Sequence, residues 1–474
     1  MKRIITPSRA AKILDEASVL LEDIGIEFSD ERMFARIGEK VPCTYSGGRI
    51  HLPREKVRIF FEKRKQMLCV SQQHEDRITI GGGWHAWYLC NPLTNIPRPA
   101  AYGEAVDMAK LAESLGAGRG PIPVAPEGIS PILHTMECER VALFYTRGMG
   151  GCLTATAPEE IKILKEMYLA AGRRYLLALE PLISPLRLNP EVMDIYFRWC
   201  EDPDIDITVF TPIPMAGATA PLVFPAALVQ TLAEALAQDY IFYYLSEGRH
   251  QDGFSLRLDP FDMRHMNIAF GSPEWCLLKQ AVVELWNELT GGSYTTGSFR
   301  TNSRCVDAQA MLERTASFFW QTEMGIRHFS AVGQMSVDEV FSPVQAMLDL
   351  ELAQYGNRLL KGLDDIWIDD AKTTAAALAG YDLCSVKDVI LEGLEGHNYL
   401  DAESTLDYFR EAYDMSRITD TRNVMTWKAA GMPGFEQEAR ERARGRILAH
   451  TFELEDSKKR EINRLFDRYA ARLC

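Results

Sequence analysis

No Cys-x-x-Cys pair occurs among the ten cysteines, which are scattered from Cys43 to Cys474. That spacing suits neither a zinc cluster nor a disulfide frame and reads as reduced intracellular thiols. The opening Met-Lys-Arg-Ile-Ile-Thr-Pro lacks the apolar core of a secretion signal. No run of about 18 apolar residues is present, so no membrane-spanning helix is expected, and a cytoplasmic location is. Basic charge is short as well: 52 Lys and Arg stand against 66 Asp and Glu, a net charge of −14. A nucleic-acid phosphate backbone calls for the opposite balance, so nucleic acid is not an expected partner. Neither a two-histidine metal helix, a nucleophile elbow nor a phosphate-cradling glycine loop is found.

What is present is a βα rhythm in a chain of 474 residues, 47% of them hydrophobic, enough for a large core. Its clearest unit runs from Asp206 to Gln238: a β-branched run, then the small-residue turn Thr211–Pro221, then a helical pattern rich in Ala and Leu. Strands are expected at 121–125, 152–155, 175–180, 207–211, 240–245, 266–270, 293–296 and 327–332. Helices are expected near 134–147, 158–171, 190–200, 222–238, 273–290, 305–324 and 338–360. Eight such units in about 240 residues predict an α/β protein built on a (β/α)8 TIM barrel over 119–362. Residues 1–118 read as an N-terminal α/β extension, with an initial helix over 7–25 and another over 99–115. Residues 363–474 read as a C-terminal helical region, with helix formers at 373–378 and 385–393 and a long charged helical pattern over 437–473. That pattern would be solvated, cover the barrel or join subunits, and a homo-oligomer is expected.

In a barrel the chemistry collects where strands end. Glu127, Glu180, Glu247, Glu274 and His328 are the only ionisable side chains in the segments that follow the expected strands. Glu180 is placed to offset a ligand cation or to form a salt bridge, and His328 to orient a ligand or to serve the fold. Trp84, Trp87 and Tyr88 follow three glycines at 81–83 and form either an aromatic lid or ordinary packing. Met215, Ala216, Gly217 and Ala218 form a turn with few side chains in the way of an approaching group. Asp307, Gln309 and Glu313 lie on a predicted helix and read as supporting residues.

The chain resembles the trimethylamine methyltransferase superfamily over nearly its whole length. The resemblance rests on Gly82-Gly with Arg98-Pro-Ala, Ser184-Pro-Leu, Pro214-Met-Ala-Gly-Ala-Thr-Ala-Pro and Gly271-Ser-Pro-Glu. It continues through Asn302-Ser-Arg-x-x-Asp307-Ala-Gln309, Gly325-Ile-Arg-His328 and, near the C-terminus, Tyr399-Leu, Thr405-Leu-x-x-Phe409-Arg410 and Trp427-x-x-x-Gly431. It implies a TIM barrel that moves a methyl group from an amine to the cobalt of a corrinoid (cobalamin) carried by a partner protein. Enzymes of this family acting on trimethylamine carry pyrrolysine, and this chain has none. The resemblance therefore implies the branch that acts on quaternary amines such as glycine betaine. It further implies Trp84, Trp87, Tyr88, Ser184 and His328 at the substrate, His328 and Glu180 as catalytic, Met215–Ala218 facing the corrinoid, and no metal ligands. A zinc-type barrel methyltransferase for methanol or thiols, and a non-catalytic binder of methylated amines, are the alternatives.

Overall fold

The computed structural model describes residues 2–70, 77–151, 155, 157–249, 255–362, 386–402, 405–406, 409 and 418–473. The chain is a mixed α/β fold in which helices alternate with short strands in both parallel and antiparallel pairings. The helices follow the pattern of the sequence closely and start where capping predicts. Ser272 Oγ accepts from Trp275 N at the head of Pro273–Thr290, and Gly291 closes that helix at φ 71°. Asp307 caps Ala308–Glu323 by accepting from Ala310 N, and Ser342 caps Pro343–Lys361 by accepting from Gln345 N. The motif residue Asp307 is thus a helix cap.

Four parallel pairings organise the strands. His328–Ser330 lies between Thr79–Ile80 and Thr296–Ser298, in register His328 with Thr79 and with Thr296. Tyr175–Leu179 pairs with Ile205–Val209 along its whole length, and Met215–Ala216 pairs with Asp259–Asp262. Single bridges join Gly120 to Met149 and Ala86 to Val124, the latter within the expected strand 121–125. Residues 152–154 of another expected strand lie outside the described residues. A five-stranded sheet built from Ile26–Glu27, Thr44–Ser46, Arg49–His51, Leu182–Ile183 and Arg187–Leu188 ties the N-terminal segment to the middle of the chain.

Two expected strands are corrected. Tyr240–Leu245 is the last part of one helix, Phe224–Leu245, not a strand. Its run Tyr-Ile-Phe-Tyr-Tyr-Leu has strand-like composition, but a helix buried on nearly every side needs apolar residues all round. Period therefore cannot tell the two apart in a run this short. This helix packs against Pro7–Asp23 and Arg54–Val70. Residues 266–270 hold only a two-residue strand, Asn267–Ile268, and it runs antiparallel to Asp259–Asp262.

The charged C-terminal pattern is also two helices rather than one, Phe435–Ala449 and Asp456–Leu473. The first buries Ala439 and Ala443 and packs against Pro343–Lys361 and Tyr102–Ser114; the second buries Ile462, Leu465, Phe466 and Tyr469 and packs against Pro158–Ala171. Expected helical residues 373–378 lie outside the described residues, and Val386–Gly396 is a helix.

Candidate functional site

Alternation along the strands decides which side chains face away from the helices. Tyr175 turns toward the helical layer, its ring 5.2 Å from Tyr168 of Pro158–Ala171. Leu176, Ala178 and Glu180 therefore share the opposite face. Phe210 N donates to Leu179 O (2.8 Å), which sets Phe210 beside Glu180 at the strand tips. Phe210 in turn meets Trp84 edge-on, ring centroids 6.0 Å apart. Likewise Phe329 packs on Phe299 and Phe318, so its neighbours His328 and Ser330 point the other way.

A cavity of about 320 Å³ lies between residues 255–259, Thr296–Ser298 and the helix Pro273–Thr290, with Arg257, Asp259, Lys279, Ser298, Arg300 and Ser330 in its wall; Glu180, Trp84 and Phe210 do not line it. Arg257 comes from Ser255-Leu-Arg-Leu-Asp259, a segment in which Leu256 and Leu258 are buried while Arg257 keeps 33% of its side chain exposed. Its ion pair with Asp259 is loose, Nη2 to Oδ2 3.7 Å, and its guanidinium donates no hydrogen bond to any described residue. Asp259 is otherwise held by Trp275 Nε1, which donates to Oδ1 at 2.8 Å. Arg300 is better fixed: its Nε donates to Asp338 Oδ2 (2.7 Å), and its guanidinium lies 5.5 Å from the centre of the Phe270 ring.

Glu180 is exposed at the end of its strand, yet protein crowds its carboxyl. Burial pushes that carboxyl above the usual carboxylate range, and the Arg257 charge pulls it partly back. Among the described residues no ion pair joins the two. Burial also draws the Arg257 guanidinium below its ordinary value, opposed first by Asp259.

The other expected site residues are spread more widely. His328 begins its strand rather than ending it, and its Nδ1 lies 3.0 Å from Thr79 Oγ1. Trp87, 56% exposed, packs on His134 (4.9 Å) and His85 (5.3 Å), away from the Trp84–Phe210 pair. Tyr88 is 44% exposed on the short strand Tyr88–Cys90, where it is in register with Val340. Ser184 is buried, and its Oγ donates to Glu234 Oε2 at 2.5 Å; Glu234 also accepts from Leu186 N and Gln230 Nε2. Met215–Ala218 is a tight turn in which Ala218 N and Ala220 N both donate to Met215 O, with Gly217 at φ 98°. No group of three or more His, Cys, Asp or Glu suited to a metal ion occurs among the described residues.

Arg257, Asp259, Arg300 and Phe210 were not among the expected site residues. The signal for the first two was available: Ser-Leu-Arg-Leu-Asp alternates with a period of two, the mark of a half-buried strand. The stronger β-propensity of Tyr240–Leu245 and Met266–Phe270 drew the strand assignments to either side of it.

A mixed α/β scaffold with a cavity walled by charged and aromatic side chains is the kind of site on which small-molecule enzymes are built. The sequence model of the trimethylamine methyltransferase (MTTB) family matches residues 175–472, and the chain belongs to that family. It is also 24% identical over 364 residues to the trimethylamine methyltransferase MttB of Desulfitobacterium hafniense (strain DSM 10664 / DCB-2), an alignment covering 75% of this chain and 69% of that protein.

Proposed function

We propose that this protein is a methyltransferase that takes a methyl group from a quaternary, betaine-like amine and delivers it to a corrinoid carried by a partner protein. The observation that carries this reading is membership of the family over 175–472, a span that includes Glu180, Phe210, Arg257 and Arg300. The scaffold proposed for it is a closed (β/α)8 barrel, with strands near 78–83 and 255–259 in place of those expected at 240–245 and 266–270. Neighbour contacts support closure. Thr79–Ile80, His328–Ser330 and Thr296–Ser298 are paired in turn. Tyr294 Oη reaches Leu256 O (3.0 Å), Ser255 Oγ reaches Thr211 Oγ1 (3.0 Å), and Ile205–Val209 pairs with Tyr175–Leu179. A Cβ on Gly151 would meet Leu176 at 2.9 Å, Gly150 N donates to Gly120 O, and a Cβ on Gly82 would meet Arg119 O at 2.9 Å, which returns the ring to its start.

A quaternary nitrogen has neither an N–H nor a lone pair, so it is held by charge and aromatic faces. Glu180 with Trp84 and Phe210 supply both. As the methyl group leaves, the nitrogen loses its positive charge, so the attraction of Glu180 belongs to the bound substrate more than to the transition state. Its task is binding and aim, and no general acid is required. The corrinoid would supply a low-valent cobalt that accepts the methyl group. The turn Met215–Ala218 fits such a group: a Cβ added to Gly217 would find only ordinary contacts, the nearest at 3.6 Å, so nothing bulky covers it. Leu222, Val223, Phe224, Met263 and Met266 are exposed apolar residues on the segments that follow this turn and its pairing partner, a surface suited to the partner protein.

The test is to incubate the purified protein with a panel of quaternary amines and Co(I) cobalamin, following loss of Co(I) absorbance and the demethylated amine by mass spectrometry. Demethylation of at least one quaternary amine is expected; the reading is falsified if none of the panel is demethylated.

A further inference from the structure

We infer that Arg257 and Asp259 form a seat for a primary carboxamide, and that the amide it takes is a side arm of the corrinoid ring. The inference rests on the methyl-transfer reading and adds the residues through which this chain recognises the corrinoid.

Asp259 is 6% exposed, and its two carboxylate oxygens differ. Oδ1 accepts from Trp275 Nε1 at 2.8 Å, whereas Oδ2 is buried without a hydrogen-bond partner among the described residues. An acceptor left unanswered in an interior is costly, so such an atom marks a place that something fills. The Arg257 guanidinium beside it, Nη2 to Oδ2 3.7 Å, is too far for a hydrogen bond and donates to no described residue. The other cations of the cavity wall are engaged. Arg300 Nε donates to Asp338 Oδ2 (2.7 Å), and Lys279 Nζ donates to Thr296 O (3.0 Å).

An unused donor and an unused acceptor thus stand side by side in the wall of one cavity. An anion would answer Arg257 and be repelled by Asp259 Oδ2; a cation would do the reverse. A primary carboxamide is neutral and carries an acceptor oxygen and an NH2 donor on one carbon, so it answers both.

The place of the pair in the fold selects the source of the amide. Asp259 is in register with Met215, and its N donates to Pro214 O at 3.1 Å. The turn that fits a corrinoid and the unanswered acceptor are therefore neighbours on one ladder. A corrin ring bears primary carboxamides on short, flexible arms around its rim, so a ring set against Met215–Ala218 brings such groups to the cavity.

The experiment is isothermal calorimetry on the full chain with methylcobalamin in the dark and with its separated monocarboxylic acid derivatives, in each of which one ring carboxamide is hydrolysed to a carboxylate. At least one derivative should bind about tenfold or more weakly than the parent, because its arm loses the NH2 donor and sets a negative charge against Asp259. Asp259→Asn keeps an oxygen for Trp275 and puts an NH2 in the place of Oδ2. It should weaken the parent severalfold and bring the discriminated derivative to equal or tighter binding. Equal affinity of the parent and every derivative for the unmodified protein, the result a bridging water alone would give, would overturn the inference without any variant having to fold. So would an unchanged order of affinities in Asp259→Asn, or no binding of methylcobalamin. Propionamide that binds and is not displaced by methylcobalamin would make the ligand a free amide and remove the corrinoid assignment. The two readings fail separately: demethylation of a quaternary amine without discrimination among the derivatives keeps the methyltransferase and discards the seat. Discrimination without demethylation of any amine does the converse.

Discussion

Two arginine–aspartate pairs in this chain have opposite fates. Arg314 and Asp349 join the helices Ala308–Glu323 and Pro343–Lys361, with Nη1 2.6 Å from Oδ2 and side chains 0% and 1% exposed. The pair is well bonded: Asp349 also accepts from Gly333 N (2.7 Å) and Gln345 Nε2 (2.9 Å), and Arg314 Nη2 donates to Gln334 O, so that only Arg314 Nε lacks a partner among the described residues. Arg257 and Asp259, at the start of the strand Asp259–Asp262, stand 3.7 Å apart beside a cavity, and the guanidinium donates no hydrogen bond to a described residue. A buried pair bonded across two helices holds them together, whereas Arg257 and Asp259 share only a loose contact.

The contrast is breakable by mutation, and the largest effect belongs to the fully buried pair. Asp349→Ala strands the Arg314 charge in the interior and should cost about 3–5 kcal/mol, read as a large drop in the urea midpoint. His85 offers an intermediate case, a buried ring with neither nitrogen hydrogen-bonded. Burial, reinforced by His134, lowers it to about 4, so the fold favours its neutral form. The stability this protects is complete above the ordinary histidine range and is lost as pH falls from about 6.5 toward 4. His85→Phe should flatten that part of the stability-against-pH curve.

Glu180→Gln should raise KM for a quaternary amine by roughly tenfold with a much smaller change in kcat, because it removes attraction for the bound cation. Since burial raises this carboxyl, cation affinity in the unmodified protein should already weaken as pH falls toward the upper end of the carboxylate range. Calorimetry across pH should show that loss, and Glu180→Gln should be insensitive over the same window. The smallest effect on stability is expected at the idle pair. Arg257→Gln should shift unfolding by about 1 kcal/mol or less, since it breaks no hydrogen bond and only a loose ion pair. A loss comparable to that of Asp349→Ala would make Arg257 a scaffold residue and erase the distinction.

The helical half of the molecule was readable from the sequence. Caps such as Ser272, Asp307 and Ser342 mark helix starts chemically, and Pro158–Ala171 and Pro273–Thr290 lie where their patterns place them. Strands were harder because they are short and buried. Thr79–Ile80 lies in what reads as a terminal extension, yet it hydrogen-bonds to His328–Ser330 more than two hundred residues later, a pairing no local pattern encodes. The acidic and aromatic part of the site was within reach, since Glu180 and Trp84 stand at positions that local patterns single out. The basic part was missed although Ser255-Leu-Arg-Leu-Asp259 alternates with a period of two, because the stronger β-propensity on either side drew the strand assignments away from it.

Gly217 and its neighbours lie on the ladder that carries the cavity wall. Met215 is in register with Asp259, and Asp259 N donates to Pro214 O at 3.1 Å. A protein that leans on the turn therefore pushes against the residue two places from Arg257. If the proposed partner docks at this turn, its arrival would press on the same few backbone bonds that carry Asp259, and binding of partner and of small molecule should then be coupled.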